Sequence, residues 1–297
     1  MCDASRAVST SVKTHTAALL LITAVWGATF VTVKDALDAS DTFTFLALRF
    51  AAGAVTAGVL AARAPWREVL APGAKLGVFL FGGYALQTLG LEYTSPSRSA
   101  FVTGLTVLFV PFVSWSFTRA RPPTRAFVAP VIALGGLWVM TQISLGRAPP
   151  VGDLLTLGCA VLYAFHISLT TRLGAGLPAV ALTAVQLAVV SALSAACLPF
   201  VETKFAPTPS YWGAVLFTGV VASAIAISVQ VWAQKALSAT RAAVIYSLEP
   251  VFALVWAAAS GAGWPAMHEL VGGAVILVAV LVSELPQPFS RSRIEPA

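Results

Sequence analysis

Charge is what this sequence has least of. Asp, Glu, Lys and Arg make up 10% of its 297 residues, against about 25% in a soluble domain. So few ionic side chains cannot clothe a water-facing surface. The soluble domains that length alone would allow are therefore excluded. Cysteine is scarce as well: Cys2, Cys159 and Cys197, with no C-x-x-C pair. The last two lie inside apolar runs, so neither a disulfide framework nor a metal site is expected. No G-x-x-x-x-G-K-[ST] loop is present to hold ATP, and His268-Glu269 lacks the second histidine of H-E-x-x-H. No G-x-S-x-G occurs either. No cofactor is expected, and the chain does not read as an enzyme. Basic patches interleaved with aromatics are missing, so nucleic acid is not an expected partner.

Long apolar runs fill the space that charge leaves: 58% of the residues are hydrophobic. A bilayer core about 30 Å thick needs about 20 mostly apolar residues per helix. Ten segments meet or approach that length, at 17–36, 43–62, 74–92, 97–117, 126–143, 153–173, 178–200, 211–234, 239–260 and 265–284. The links between them, such as TRARPPTR and VETKFAPTPS, are rich in proline, polar and charged residues that end helices. The first run follows Lys13 but continues past Trp26 to Ala36, long for a signal peptide, so it reads as an uncleaved helix. The expected class is an all-α membrane protein embedded in the lipid bilayer. With the N-terminus placed in the cytoplasm, Lys34, Arg98, Arg147 and Lys204 fall outside and Arg49 within a helix. The other 13 of the 18 basic residues fall inside. The positive-inside rule then favours ten helices with both termini cytoplasmic.

An internal repeat organises those ten. QTLGLEYTSPSRSAFVTGLTVLF (87–109) and QVWAQKALSATRAAVIYSLEPVF (230–252) align without gaps at an offset of 143 residues. Gln87/Gln230, Ser95/Ser238, Arg98/Arg241, Leu105/Leu248 and Phe109/Phe252 coincide. The copies lie five helices apart, an odd number, so they run in opposite directions through the membrane. The expected organisation is a tail at 1–16, a five-helix repeat at 17–143, an inverted five-helix repeat at 153–284 and a tail at 285–297. Two similar halves of opposite orientation are the architecture of transporters that open alternately to either side.

WGATFVTVKDAL (26–37), TSPSRSAFVTGLTVLFVPF (94–112) and SATRAAVIYSLEPVFA (238–253) resemble EamA-type members of the drug/metabolite transporter superfamily. The likeness runs from about residue 17 to 284. It implies ten helices in two halves and export of small metabolites, such as amino acids, purines or drugs, through a central cavity. Such members are proton-linked or act as facilitators. One departure is plain: where the second copy has Glu249-Pro250, the first has Thr106-Val107, and its proline comes later, at Pro111. The two halves should therefore contribute unequally to a site.

Glu249 is the leading candidate. It lies about ten residues into its segment, roughly 14 Å deep and near the midplane. A carboxyl there normally faces a cavity or a partner. On a continuous helix Tyr246, Ala253 and Trp256 share its face. Pro250 has no N–H and leaves the carbonyl of Tyr246 without its helical donor, free to accept from water, a neighbour or a substrate. The competing reading makes Pro250 a plain kink, like Pro111, and pairs Glu249 with a basic residue.

Arg49 is the basic residue within reach of such a pair. It either points inward to Glu249 or to a substrate carboxylate, or snorkels outward. His166 is a proton relay or a packing histidine. Trp26 aligns by pattern with Tyr163, so both halves place an aromatic at that depth. Gln87, Gln186 and Gln230 either bind ligand or join helices. Arg98 and Arg241 read as anchors at helix starts. Gly53, Gly58, Gly82, Gly83, Gly135, Gly136, Gly272 and Gly273 read as sites of close helix approach.

The expectation is a secondary transporter of a bacterial inner membrane that exports small metabolites by alternating access, with protons as the candidate coupling ion. An uncoupled facilitator and a membrane accessory protein without transport activity stay open as alternatives. The substrate and the oligomeric state are not legible.

Overall fold

A computed structural model describes residues 2–94, 96–119, 127–142, 151–259 and 264–284. Among them the chain is largely helical, with short turns between helices and a non-helical link at 201–208 that carries an antiparallel bridge between Ser40 and Phe205. In lipid every backbone polar group must be satisfied within the protein, and a helix does this segment by segment.

The first half holds α1 (Cys2–Gly27), α2 (Thr29–Ala36), α3 (Thr42–Leu60), α4 (Trp66–Glu92), α5 (Pro96–Gly104), α6 (Thr106–Thr118) and α7 (Val128–Thr141). The second holds α8 (Val151–Leu173), α9 (Ala179–Cys197), α10 (Pro209–Leu216), α11 (Ala226–Ala233), α12 (Ala239–Tyr246), α13 (Glu249–Ala259) and α14 (Met267–Glu284). A π-helical stretch, Phe217–Ile225, joins α10 to α11. Seven helical segments are long and apolar enough to cross a membrane, and Val128–Met140 and Met267–Ser283 are shorter apolar helices. The protein is a multi-pass membrane protein. Helix α1 begins at Cys2, well before position 17, while 285–297, where a C-terminal tail is expected, lies outside the described residues.

Helix starts follow from capping chemistry. Asp41 accepts from the N–H of Thr44 at 2.9 Å to open α3. Thr208 caps α10 ahead of Pro209, and Ser238 caps α12 through the N–H of Arg241.

Several rods break in mid-course. α1 and α2 part at Ala28, α5 and α6 at Leu105, and α12 and α13 at Ser247-Leu248. Leu105 and Leu248 are partners in the sequence repeat. At Leu105 the N–H bonds Val102 O at 3.1 Å, and at Leu248 it bonds Ile245 O at 3.1 Å. Both are tight turns reaching three residues back, and Val102 and Ile245 are themselves 143 residues apart. The repeat thus reproduces a backbone irregularity. The first-copy break lies upstream of Pro111, which sits inside α6, so Pro111 is not where that rod bends.

Packing divides the molecule into two apolar cores. One takes Leu19 from α1, Phe101 and Val110 from α5 and α6, Leu137 from α7, Ile245 from α12 and Ile276 from α14. The other takes Phe45 and Phe50 from α3, Leu76 and Leu80 from α4, Leu182 and Leu187 from α9, and Tyr211 from α10. Each core therefore draws on both sequence halves. At α7/α14 a Cβ on Gly136 would strike the carbonyl of Gly272, and at α3 a Cβ on Gly53 would strike that of Gly219. Gly58 and Gly135, expected at close approaches, face open space instead.

Candidate functional site

Between the two cores lies a cavity of about 100 Å³, measured as room for the centres of water molecules. A single water needs roughly 10–15 Å³ of such volume, so the cavity holds several waters or a small solute. Its wall touches all three rod breaks, through Trp26 and Thr29, through Gly104 and Thr106, and through Tyr246, Ser247 and Glu249. One core contributes Leu80 and Tyr84, and the other Val107 and Ala243.

Glu249 is the first residue of α13, and Pro250 follows it in the wall. Because the rod turns at Ser247-Leu248, Tyr246 closes α12 and Glu249 opens α13, and both still face the cavity. Trp256 does not. It is 51% exposed, and its Nε1 donates to Ala24 O of α1 at 2.8 Å. It lies two turns beyond Glu249, about 10.5 Å along the axis, so a shared helical face carries it past the site.

Arg49 faces inward at 2% exposure and lines the cavity. Its guanidinium carbon lies 4.9 Å from the ring centroids of both Phe50 and Tyr84, which are themselves 4.7 Å apart, so it rests against the ring pair in a cation–π contact. Its Nε donates to Ser223 Oγ at 3.3 Å. That contact and the burial overturn the outward, snorkelling reading. Pairing with Glu249 is also absent: the one ion pair among the described residues joins Arg98 to Asp153. One cavity therefore holds a carboxyl group and a guanidinium not joined to each other.

The remaining wall is aromatic and amide. Trp26 and Tyr246 meet edge to face, with centroids 5.3 Å apart. Trp26 Nε1 donates to the carbonyl of Ala222 in the π stretch at 2.8 Å. Tyr84 and Tyr163 meet the same way at 5.6 Å. Gln87 accepts from the Tyr163 hydroxyl at 3.2 Å and donates to Thr103 Oγ1 at 3.1 Å, which ties α4, α5 and α8 together.

Gln230 donates to Gln234 at 3.0 Å, and Gln234 donates on to Ile167 O at 2.9 Å. His166 Nε2 lies 2.7 Å from Gln186 Oε1. The Gln186 amide nitrogen is engaged with Leu182 O, so the oxygen faces the ring and Nε2 carries the proton. Gln87 and His166 thus line the cavity and join helices at once, whereas Gln230 lines it and reaches α8 only through Gln234.

Tyr84, Phe50 and Ser223 escaped the reading of the sequence. Tyr84 could have been found, since it stands three residues before Gln87, on the same helical face. Ser223 could not, because only folding brings the π stretch to α3.

Arg98 and Arg241 do more than anchor helix starts. Arg98 Nε donates to both carboxylate oxygens of Asp153 on α8 at 2.8 Å, and Arg241 donates to Thr16 on α1 at 3.3 Å. Thr16 and Asp153 are 137 residues apart, the spacing of Trp26 and Tyr163. The repeat therefore extends to tertiary contacts.

Comparison with known proteins agrees with this arrangement. The profile described as the EamA-like transporter family matches twice, over residues 15–142 and 150–285. An uncharacterized transporter of Archaeoglobus fulgidus is 30% identical over 267 residues, 90% of this chain and 84% of the relative. A crystal structure of a protein at 22% identity superposes with a TM-score of 0.77, over 92% of this chain and 98% of the other. That likeness concerns the fold.

Proposed function

We propose, for a chain that belongs to the EamA-like transporter family, secondary-active export of a small zwitterionic amino compound by alternating access. One observation carries this reading: Glu249 and Arg49 line a single cavity without pairing to each other. A substrate bearing an ammonium and a carboxylate would satisfy both charges at once, whereas a neutral solute would leave both buried and unpaired. A sugar phosphate finds one cation and a repelling carboxylate. The aromatic pair Trp26–Tyr246 beside Glu249 suits an ammonium as well as an apolar side chain. A transporter needs no bond-making group, and we read the chain as one rather than as an enzyme.

In this reading the ten rods span the membrane as two inverted five-helix repeats. Both ends are cytoplasmic, and the host membrane is a bacterial inner membrane. The two cores rock against each other about the cavity. Proton coupling enters at Glu249: a proton neutralises the carboxylate and displaces the substrate ammonium, so the two compete for one group.

Proteoliposome flux tests this. Glu249→Gln is expected to lose the response to a pH gradient while retaining counterflow exchange of bound substrate. A full pH response in a folded Glu249→Gln protein sinks the coupling. Equal flux of zwitterionic and neutral analogues sinks the substrate class.

A further inference from the structure

A second cavity lies away from the first, on the outer wall of the bundle between α3, α4 and α9. It is a crevice of about 750 Å³, open along one side and lined by apolar residues. Small side chains make its floor: Ala54 and Gly58 on α3, Ala71 and Ala74 on α4, Ala184 and Ala188 on α9. A Cβ built on Gly58 meets nothing within 4 Å, so no neighbouring side chain fills the space. Trp66 and Leu70 form the rim at the start of α4. From Trp66 to Ala74 the crevice runs about 12 Å along the helix, close to the roughly 15 Å of hydrocarbon in one leaflet.

The mouth is basic. Arg67 precedes Ala71 and Ala74 by four and seven residues, which puts it on the stripe that lines the crevice. Arg63 stands in the turn between α3 and α4. Both are exposed, and neither has a hydrogen bond or ion pair among the described residues. Trp66 between them sits where aromatic side chains mark the membrane–water boundary.

We propose that this crevice is a binding site for an anionic glycerophospholipid, one acyl chain lying on the alanine–glycine floor and the phosphate between Arg63 and Arg67. The apolar floor accepts the chain, and the paired arginines select the charge of the headgroup. The site is separate from the cavity at Glu249 and does not depend on the transport reading.

The test titrates delipidated, full-length protein in neutral detergent with phosphatidylglycerol or with phosphatidylcholine of the same chains, read by native mass spectrometry. Phosphatidylglycerol is expected to be retained preferentially, by roughly fivefold per arginine. Arg63→Gln/Arg67→Gln should abolish that preference. Gly58→Leu, which fills open space, should lower retention of both lipids, with Ala188→Leu as a second way of filling the floor. Melting temperatures of the variants confirm that they fold. Equal retention of the two lipids overturns the proposal, as does a preference that survives in the double variant. Lipid retention unaffected by both floor variants overturns it too.

Discussion

At the residue scale the cavity is defined by how each charge is held. Arg49 rests against the Phe50–Tyr84 ring pair and donates to Ser223, so its planar guanidinium is held in place at the cavity wall. Lysine can neither stack nor fork in this way. Arg49→Lys is therefore expected to weaken binding of a zwitterionic substrate roughly tenfold or more, although the charge is retained. The readout is the ligand-induced shift in melting temperature, since a ligand of the folded state raises apparent stability. An unchanged shift removes Arg49 from the site. Glu249 was legible as a candidate from depth alone, because an acid amid apolar residues stands out in a one-dimensional string. The aromatic seat of Arg49 was not legible, since phenylalanine and tyrosine are unremarkable in a membrane helix until an arginine lies on them.

At the element scale the informative features are breaks. The rods that touch the cavity turn at Ala28, Leu105 and Ser247-Leu248, and irregular backbone at membrane depth survives only where it borders protein or a cavity. At the third break Pro250 withholds an N–H from the carbonyl of Tyr246, but the equivalent turn at Leu105 forms without a proline beside it, so the proline accompanies the break and does not create it. Pro250→Ala restores the missing donor. Since the first copy keeps its turn with Val107 in that place, the break is expected to persist but to stiffen, slowing turnover by about tenfold, a barrier change of about 1.4 kcal/mol, while substrate still shifts the melting temperature. Unaltered turnover would make Pro250 a bystander. Reading α12 and α13 as one helix put Trp256 on the right face and in the wrong place. Periodicity reports direction around an axis and says nothing of where the axis bends or where a cavity ends.

At the scale of the whole molecule, the two packing units differ from the two sequence halves. Each core combines helices from both repeats, and the cavity lies between them. Rocking should therefore change distances between cores and leave those within a core unchanged. Val59 on α3 and Leu277 on α14 are exposed positions on opposite units, whereas Val59 and Ala195 on α9 share one unit. Spin labels at the first pair, with Cys2 and Cys197 replaced, are expected to change separation on adding substrate, and labels at the second pair are not. Equal movement in both pairs would contradict motion about the cavity.

The sequence by itself determined the solvent, the helical class and the duplication. Charge deficit, apolar run length and a polar repeat frame are properties of the string, and the bilayer converts them directly into spanning helices. It also singled out Glu249 and Arg49 as ionic groups that lipid would not tolerate unaccompanied. Only the tertiary structure decided that these two face one cavity without pairing, that Trp256 lies beyond it, and that the cores cut across the halves. Those outcomes rest on where helices bend and which faces meet. They are set by packing between residues far apart in the chain, and a local pattern carries no record of it.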